Sequence, residues 1–229
     1  DEDLVEWKPG VGGVVFTLPR SGGGVVTIEL KNIGADGLAT DNIGYLVFPP
    51  AKRLAIALVT PKGESFFVKT VLEGLTLSKL DTMSITEFER RLAANTTGEY
   101  DVVVLDNCLP NVKLTDAGDS VPGLPPGRSL VLGQIPNIRG SKRADGTFGA
   151  GLIDDGAGEQ AIIVEWNRDH PALKHAALDL LIITKSRKVS VGLDAPVQVI
   201  ARTQDGPAIL EVTDGPTRAL VVPFDPNQS

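Results

Sequence analysis

The chain contains one cysteine and two histidines, so Cys108, His170 and His175 bound any nucleophilic or imidazole chemistry it could perform. Cys108 closes the run Tyr100-Asp-Val-Val-Val-Leu-Asp-Asn-Cys108, an apolar stretch that ends in polar residues. Open α/β sheets bind ligands outside the carboxyl ends of their strands, which puts Asp106, Asn107 and Cys108 where a site would be. A nucleophilic cysteine needs a depressed pKa, usually at a helix N-terminus, and a base within reach. Cys108 is instead followed by Leu109-Pro110 and a long loop with further prolines at 122, 125 and 126, which favours a structural role. His170 follows Asp169, which could orient it as a base, and precedes Pro171, as a residue capping a helix start would. His175, beside Lys174, reads as a solvated helix residue.

Asp154-Asp155 with Glu159 would suit a hard cation, yet the alternating Asp/Asn spacing of a calcium loop is absent and a solvated loop is the simpler reading. Gly149-Ala-Gly151 starts a dinucleotide fingerprint but lacks its third glycine and a strand-to-helix setting. No metal site and no cofactor are expected. With 229 residues, 42% of them hydrophobic, the chain can bury a sizeable core. A formal net charge of −7 with scattered Lys and Arg argues against nucleic acid as a partner. No apolar run is long enough for a membrane helix, so no membrane contact by this segment is expected. The opening without Met and the stop at Phe224-Asp-Pro-Asn-Gln-Ser229, directly after a strand-like run, suggest a piece cut from a longer protein.

Residues 14–18, 25–30 and 43–48 are short β-rich runs, the first two joined by Ser21-Gly-Gly-Gly24. Val26, Ile28 and Leu30 alternate with Val25, Thr27 and Glu29, so one face should be buried. Pro49-Pro50 marks a boundary, giving an all-β part over 1–50 and an α/β part over 51–229. In the second part, Leu54–Val59 reads as a buried strand. Residues 65–75 read as a helix burying Phe67, Val71 and Leu75, with Val68 and Leu72 beside that face. Ser84-Ile-Thr-Glu87 has capping-box spacing. Strands follow at 100–105, 129–133 and 161–166, then Asp169-His170-Pro171 as a helix start. Residues 197–202, 208–212 and 219–224, separated by Asp-Gly turns, form an antiparallel meander. The expected fold is α/β, a mostly parallel sheet finished by antiparallel strands.

Several stretches carry a family likeness: Asp36-Gly-Leu-Ala-Thr-Asp-Asn42 with Tyr45–Pro50 and Arg53–Val59, Tyr100–Asp106 with Leu124-Pro-Pro-Gly127, Trp166-Asn-Arg-Asp-His-Pro171, and Gly206–Leu210. In this order they resemble the C-terminal region of bacterial aerotolerance-type (BatA-like) membrane-anchored proteins, which carry a von Willebrand factor A domain, a β-sandwich and a class I glutamine amidotransferase-like domain. The resemblance implies closing sandwich strands over 1–50 and a flavodoxin-like, amidotransferase-like domain over 51–229, truncated at its C-terminus. It also implies a membrane-anchored parent, with the periplasmic face favoured, and protein partners of unknown identity. It places the nucleophile elbow after the fourth strand, where Gln134 stands and no thiol or hydroxyl does. The expected function is therefore a non-catalytic interaction or scaffold module. Two alternatives stay open: a hydrolase or amidotransferase using Cys108 and His170, and a small-ligand sensor with Asp106, Asn107 and Gln134 at the strand ends.

Overall fold

The computed structural model describes residues 23–31, 42–48, 52–62, 66–113, 120–142 and 148–226. Two units divide the chain, residues 1–52 and 53–229. In the first, β1 (Gly24–Glu29) pairs antiparallel with β2 (Ile43–Phe48), Val25 opposite Val47 and Thr27 opposite Tyr45. The expected alternation of a buried and a wet face is not seen there, since Val25, Ile28, Leu30, Tyr45 and Val47 are all exposed. The expected strand at 14–18 and most of its turn lie outside the described residues.

The second unit is built on β3 (Ala55–Thr60), α1 (Phe67–Glu73), β4 (Lys79–Ser84), α2 (Ile85–Ala93) and β5 (Val102–Asp106). A hairpin of β6 (Asn111–Lys113) and β7 (Ser120–Pro122) precedes β8 (Gly127–Leu132). Then come β9 (Arg139–Lys142), β10 (Phe148–Ala150), β11 (Leu152–Ala157), β12 (Ala161–Trp166), β13 (Ile182–Ile183), β14 (Arg187–Val191), β15 (Val197–Thr203), β16 (Gly206–Asp214) and β17 (Thr217–Val222). Nine of these strands make one sheet in the order β13-β12-β15-β16-β17-β8-β5-β3-β4. The half from β17 to β4 is parallel, and the half from β17 to β13 is antiparallel.

This corrects the expected fold class. The described residues are mostly β around a mixed sheet, not a mostly parallel flavodoxin-like or amidotransferase-like sheet. The reason is how the crossovers are made. Parallel neighbours need a long connection, usually a helix, to carry the chain back. Helices α1 and α2 serve β3, β4 and β5, but β5 reaches β8 through the β6–β7 hairpin, and β8 reaches β17 through the antiparallel strands. The helix expected at Pro171 is a series of turns, with the Asn167 side chain accepting from Asp169 N at 3.1 Å.

Strand alternation gives the sheet two packed faces. Val59, Leu105, Val131, Leu210 and Val212 share one core with Phe88 of α2. Leu58, Val104 and Leu132 lie on the other with Leu72 of α1, and Ile163, Ile200 and Ile209 continue that face under the antiparallel half. Helix α1 is rotated from its expected setting. Val68 and Leu72 face the core, while Phe67, Val71 and Leu75 are exposed. Helix α2 starts as expected, the Ser84 hydroxyl accepting from Glu87 N at 3.3 Å.

Candidate functional site

The carboxyl ends of the parallel strands form a register row. Thr60 lies opposite Ser84, Asp106 opposite Leu132, and Leu132 opposite Val222. The β3–β5 register pairs Val59 with Leu105, so its next step sets Thr60 beside Asp106. Both point to the face of Leu58 and Val104. Thr60 is 0% and Asp106 4% exposed. Asn107 takes the left-handed conformation, φ 54°, with its N–H donating to Leu132 O at 2.9 Å. Its Nδ2 donates to Asp106 Oδ1 at 3.0 Å. Its Oδ1 occupies space beside Gly133, where a Cβ would come within 2.1 Å of it. Glycine at 133, itself at φ 74°, is what lets Asn107 sit there. Gln134 follows, half-buried.

Cys108 turns to the opposite face. Its thiol packs with Val59 and Leu105 and donates weakly to Val59 O at 3.4 Å. Burial first, then the Asp106 and Glu89 carboxylates, push the thiol pKa up to about 12. A thiol held there is protonated at neutral pH and inert. His170 lies on the other side of the sheet. Its Nε2 is 3.3 Å from Glu211 Oε2, and Glu211 points away from the face of Leu210 and Val212. Its Nδ1 accepts from Ala172 N at 3.3 Å, pinning a turn. The sheet therefore stands between the sulfur and the imidazole. His175 is exposed. Asp154 accepts from the Arg187 guanidinium and from Gly156 N, and these contacts hold its carboxyl below the usual carboxylate range. Asp155 accepts from the Ser190 hydroxyl. Among the described residues no group of three or more His, Cys, Asp or Glu could hold a metal ion.

A cleft of about 1000 Å³ opens on the α2 face of the sheet, away from the strand-end row. Glu89, Leu92 and Ala93 of α2 form one wall, β6 and the 137–140 stretch another, and the β16–β17 turn a third. Its floor is apolar, with Val112, Ile138 and Val212 buried. Its rim carries charges of both signs, Glu89 and Asp214 with Lys113 and Arg139. Glu89 is fixed in place, because its Oε1 accepts from both Asn111 N and Asn111 Nδ2 at 2.8 Å. Sequence reading missed this cleft, whose walls come from segments far apart in the chain, and it missed Thr60. The one sequence signal for Thr60 is its place at the end of an apolar strand.

No family model and no curated protein matches the chain. It is similar to two solved cytoplasmic proteins of Salmonella typhimurium, at 10% and 12% identity and TM-scores of 0.43 and 0.40, each alignment covering 75% of this chain and 88% of the other. It is also similar to a protein from Bacteroides uniformis described as ThuA-like, at 14% identity and a TM-score of 0.48, covering 76% of this chain and 84% of that one. At these values the likenesses carry no functional weight. None of the three is described as an aerotolerance-type protein, and no relative by sequence supports that resemblance, which is corrected accordingly. The membrane-anchored parent, the periplasmic placement and the scaffold role rested on the resemblance alone and fall with it. Among the described residues no helix is long and apolar enough to cross a membrane.

Proposed function

We propose that residues 53–229 bind a small polar organic molecule, without covalent chemistry, in the cleft between α2, β6 and the β16–β17 turn. The observation that carries this reading is the cleft itself. Its volume of about 1000 Å³ and its apolar floor under a few fixed polar groups match the usual form of small-molecule sites. Glu89, already held by Asn111, offers an acceptor that needs no reordering on binding. Opposite charges around one rim suit a zwitterion or a neutral, multiply hydrogen-bonding compound better than a simple anion or cation.

The test is a thermal-shift screen of zwitterionic and polyhydroxylated compounds on the full chain, followed by calorimetry of any hit. Ala93 is exposed on α2 and lines the cleft, so Ala93→Trp puts a large ring into it while a surface change of this kind leaves stability within about 0.5 kcal/mol. A hit should be lost in Ala93→Trp and retained in Lys174→Ala, an exposed position outside the cleft. Binding that survives Ala93→Trp unchanged, or a screen in which nothing binds, overturns the reading.

A further inference from the structure

We infer that the carboxyl ends of β3 and β5 form a second, separate site, which takes the ammonium group of a small amine between the Thr60 hydroxyl and the Asp106 carboxyl group. Thr60 is 0% exposed and its Oγ1 has no hydrogen-bond partner. Beside it, on the same face, the Asp106 carboxyl is 4% exposed and is engaged on Oδ1 by Asn107 Nδ2. Among the described residues no Lys, Arg or His forms an ion pair with it. Buried polar groups with unused capacity are costly, and adjacent parallel strands set these two about 4.8 Å apart at the backbone. A group that fits must donate more than one hydrogen bond within a small volume.

An ammonium has three donors and no acceptor, so it serves Asp106 Oδ2 and Thr60 Oγ1 together. A hard metal ion does not suit, because it wants six or more oxygens and this corner supplies two side chains. An anion does not suit beside a carboxyl group. Asn107, whose conformation glycine at 133 permits, holds the carboxyl group through Oδ1. Asn107 is thus a positioning residue.

The experiment titrates the full chain with methylammonium chloride and, at matched ionic strength, with sodium chloride, reading the melting temperature. The expected result is a saturable rise with methylammonium alone. It should be absent in Asp106→Asn and right-shifted about tenfold in Thr60→Val, the worth of one hydrogen bond. Ala93→Trp should leave it untouched, which separates this site from the cleft. An equal response to both salts, or a full response in Asp106→Asn, overturns the proposal. If Asp106→Asn does not fold, Thr60→Val decides, and an unshifted titration in that isosteric variant overturns it. A crystal grown in methylammonium with only a water molecule between Thr60 and Asp106 does the same.

Discussion

Cys108 ties the fold to the chemistry most directly, because its suppression predicts both a reaction rate and a pH-dependent stability. Cys108 is 9% exposed, and burial pushes its thiol pKa up to about 12 from the 9.0 of an ordinary cysteine. At pH 7.5 its thiolate population is therefore about a thousandfold below that of a free cysteine, before any steric cost. Native alkylation by iodoacetamide should be correspondingly slow and should require opening of the fold.

The same shift acts on stability. The folded state keeps its proton while the unfolded state loses it above about pH 9, so the contribution is fully present below pH 9 and is lost between pH 9 and 12. The ideal slope is about 1.4 kcal/mol per pH unit, and discounting for residual solvent contact leaves roughly 2–3 kcal/mol in all. Cys108→Ala removes this dependence and costs about 1 kcal/mol of packing at every pH. Urea unfolding from pH 7 to 11 should show wild type more stable at pH 7, with the difference closing and reversing as pH rises. Tyr100, also pushed up to about 12, mainly by burial, titrates in both proteins and cancels. A wild-type to variant difference that does not change with pH, or native alkylation at the rate of a free cysteine, would refute the reasoning.

Trp166 packs half-buried against the Ile163 core with the Arg168 guanidinium 4.6 Å from its ring centre, so Trp166→Ala should cost about 2–3 kcal/mol in urea unfolding, below the range for a wholly buried aromatic. His170→Ala loses a turn contact worth about 1 kcal/mol, and a larger loss there than at Trp166 would contradict the structure. Gly133→Ala combines a left-handed backbone with a 2.1 Å approach to Asn107 Oδ1 and should cost about 2–4 kcal/mol. In an Asn107→Gly background the clash is gone, and a double-mutant cycle should bring the cost of Gly133→Ala down to about 1 kcal/mol.

Where a segment carries one strong signal, the chain spells out its local structure. Leu54–Val59 is an apolar run and becomes β3, one residue displaced, and Ser84 with Glu87 becomes the cap of α2. Ala161–Trp166 becomes β12, and the Asp-Gly turns separate β15, β16 and β17. Ambiguity enters where two solutions share a period. Phe67/Val71/Leu75 and Val68/Leu72 are both helical stripes, and only the sheet beneath α1 decides in favour of the second. Fold class failed for a related reason. Residues 109–127, with their four prolines, read as a loop, and nothing local in them says that a β-hairpin stands in the crossover where a parallel sheet usually has a helix. Asp106 and Asn107 were legible as strand-end residues, but Thr60 becomes notable only once register sets its unpartnered hydroxyl beside a buried carboxyl group.

The sheet also explains why the few reactive groups do not assemble. Alternation along β16 sends Leu210 to the α2 face and Glu211 to the other, so His170 is anchored by Glu211 on the side away from Cys108. For these two to meet, one of the anchoring strands would have to slip by a residue, which would turn its whole apolar set out of the core. The β16–β17 register, Leu210 opposite Val221 and Val212 opposite Ala219, is held by residues that are 0–3% exposed on that face. Such a slip would cost far more than any hydrogen bond between a thiol and an imidazole returns. What each face keeps is fixed acceptors and hydroxyls: Glu89 and Asn111 in the cleft, Asp106 and Thr60 at the strand ends. Groups of that kind can hold a ligand by hydrogen bonds alone, which is what the two proposed sites require.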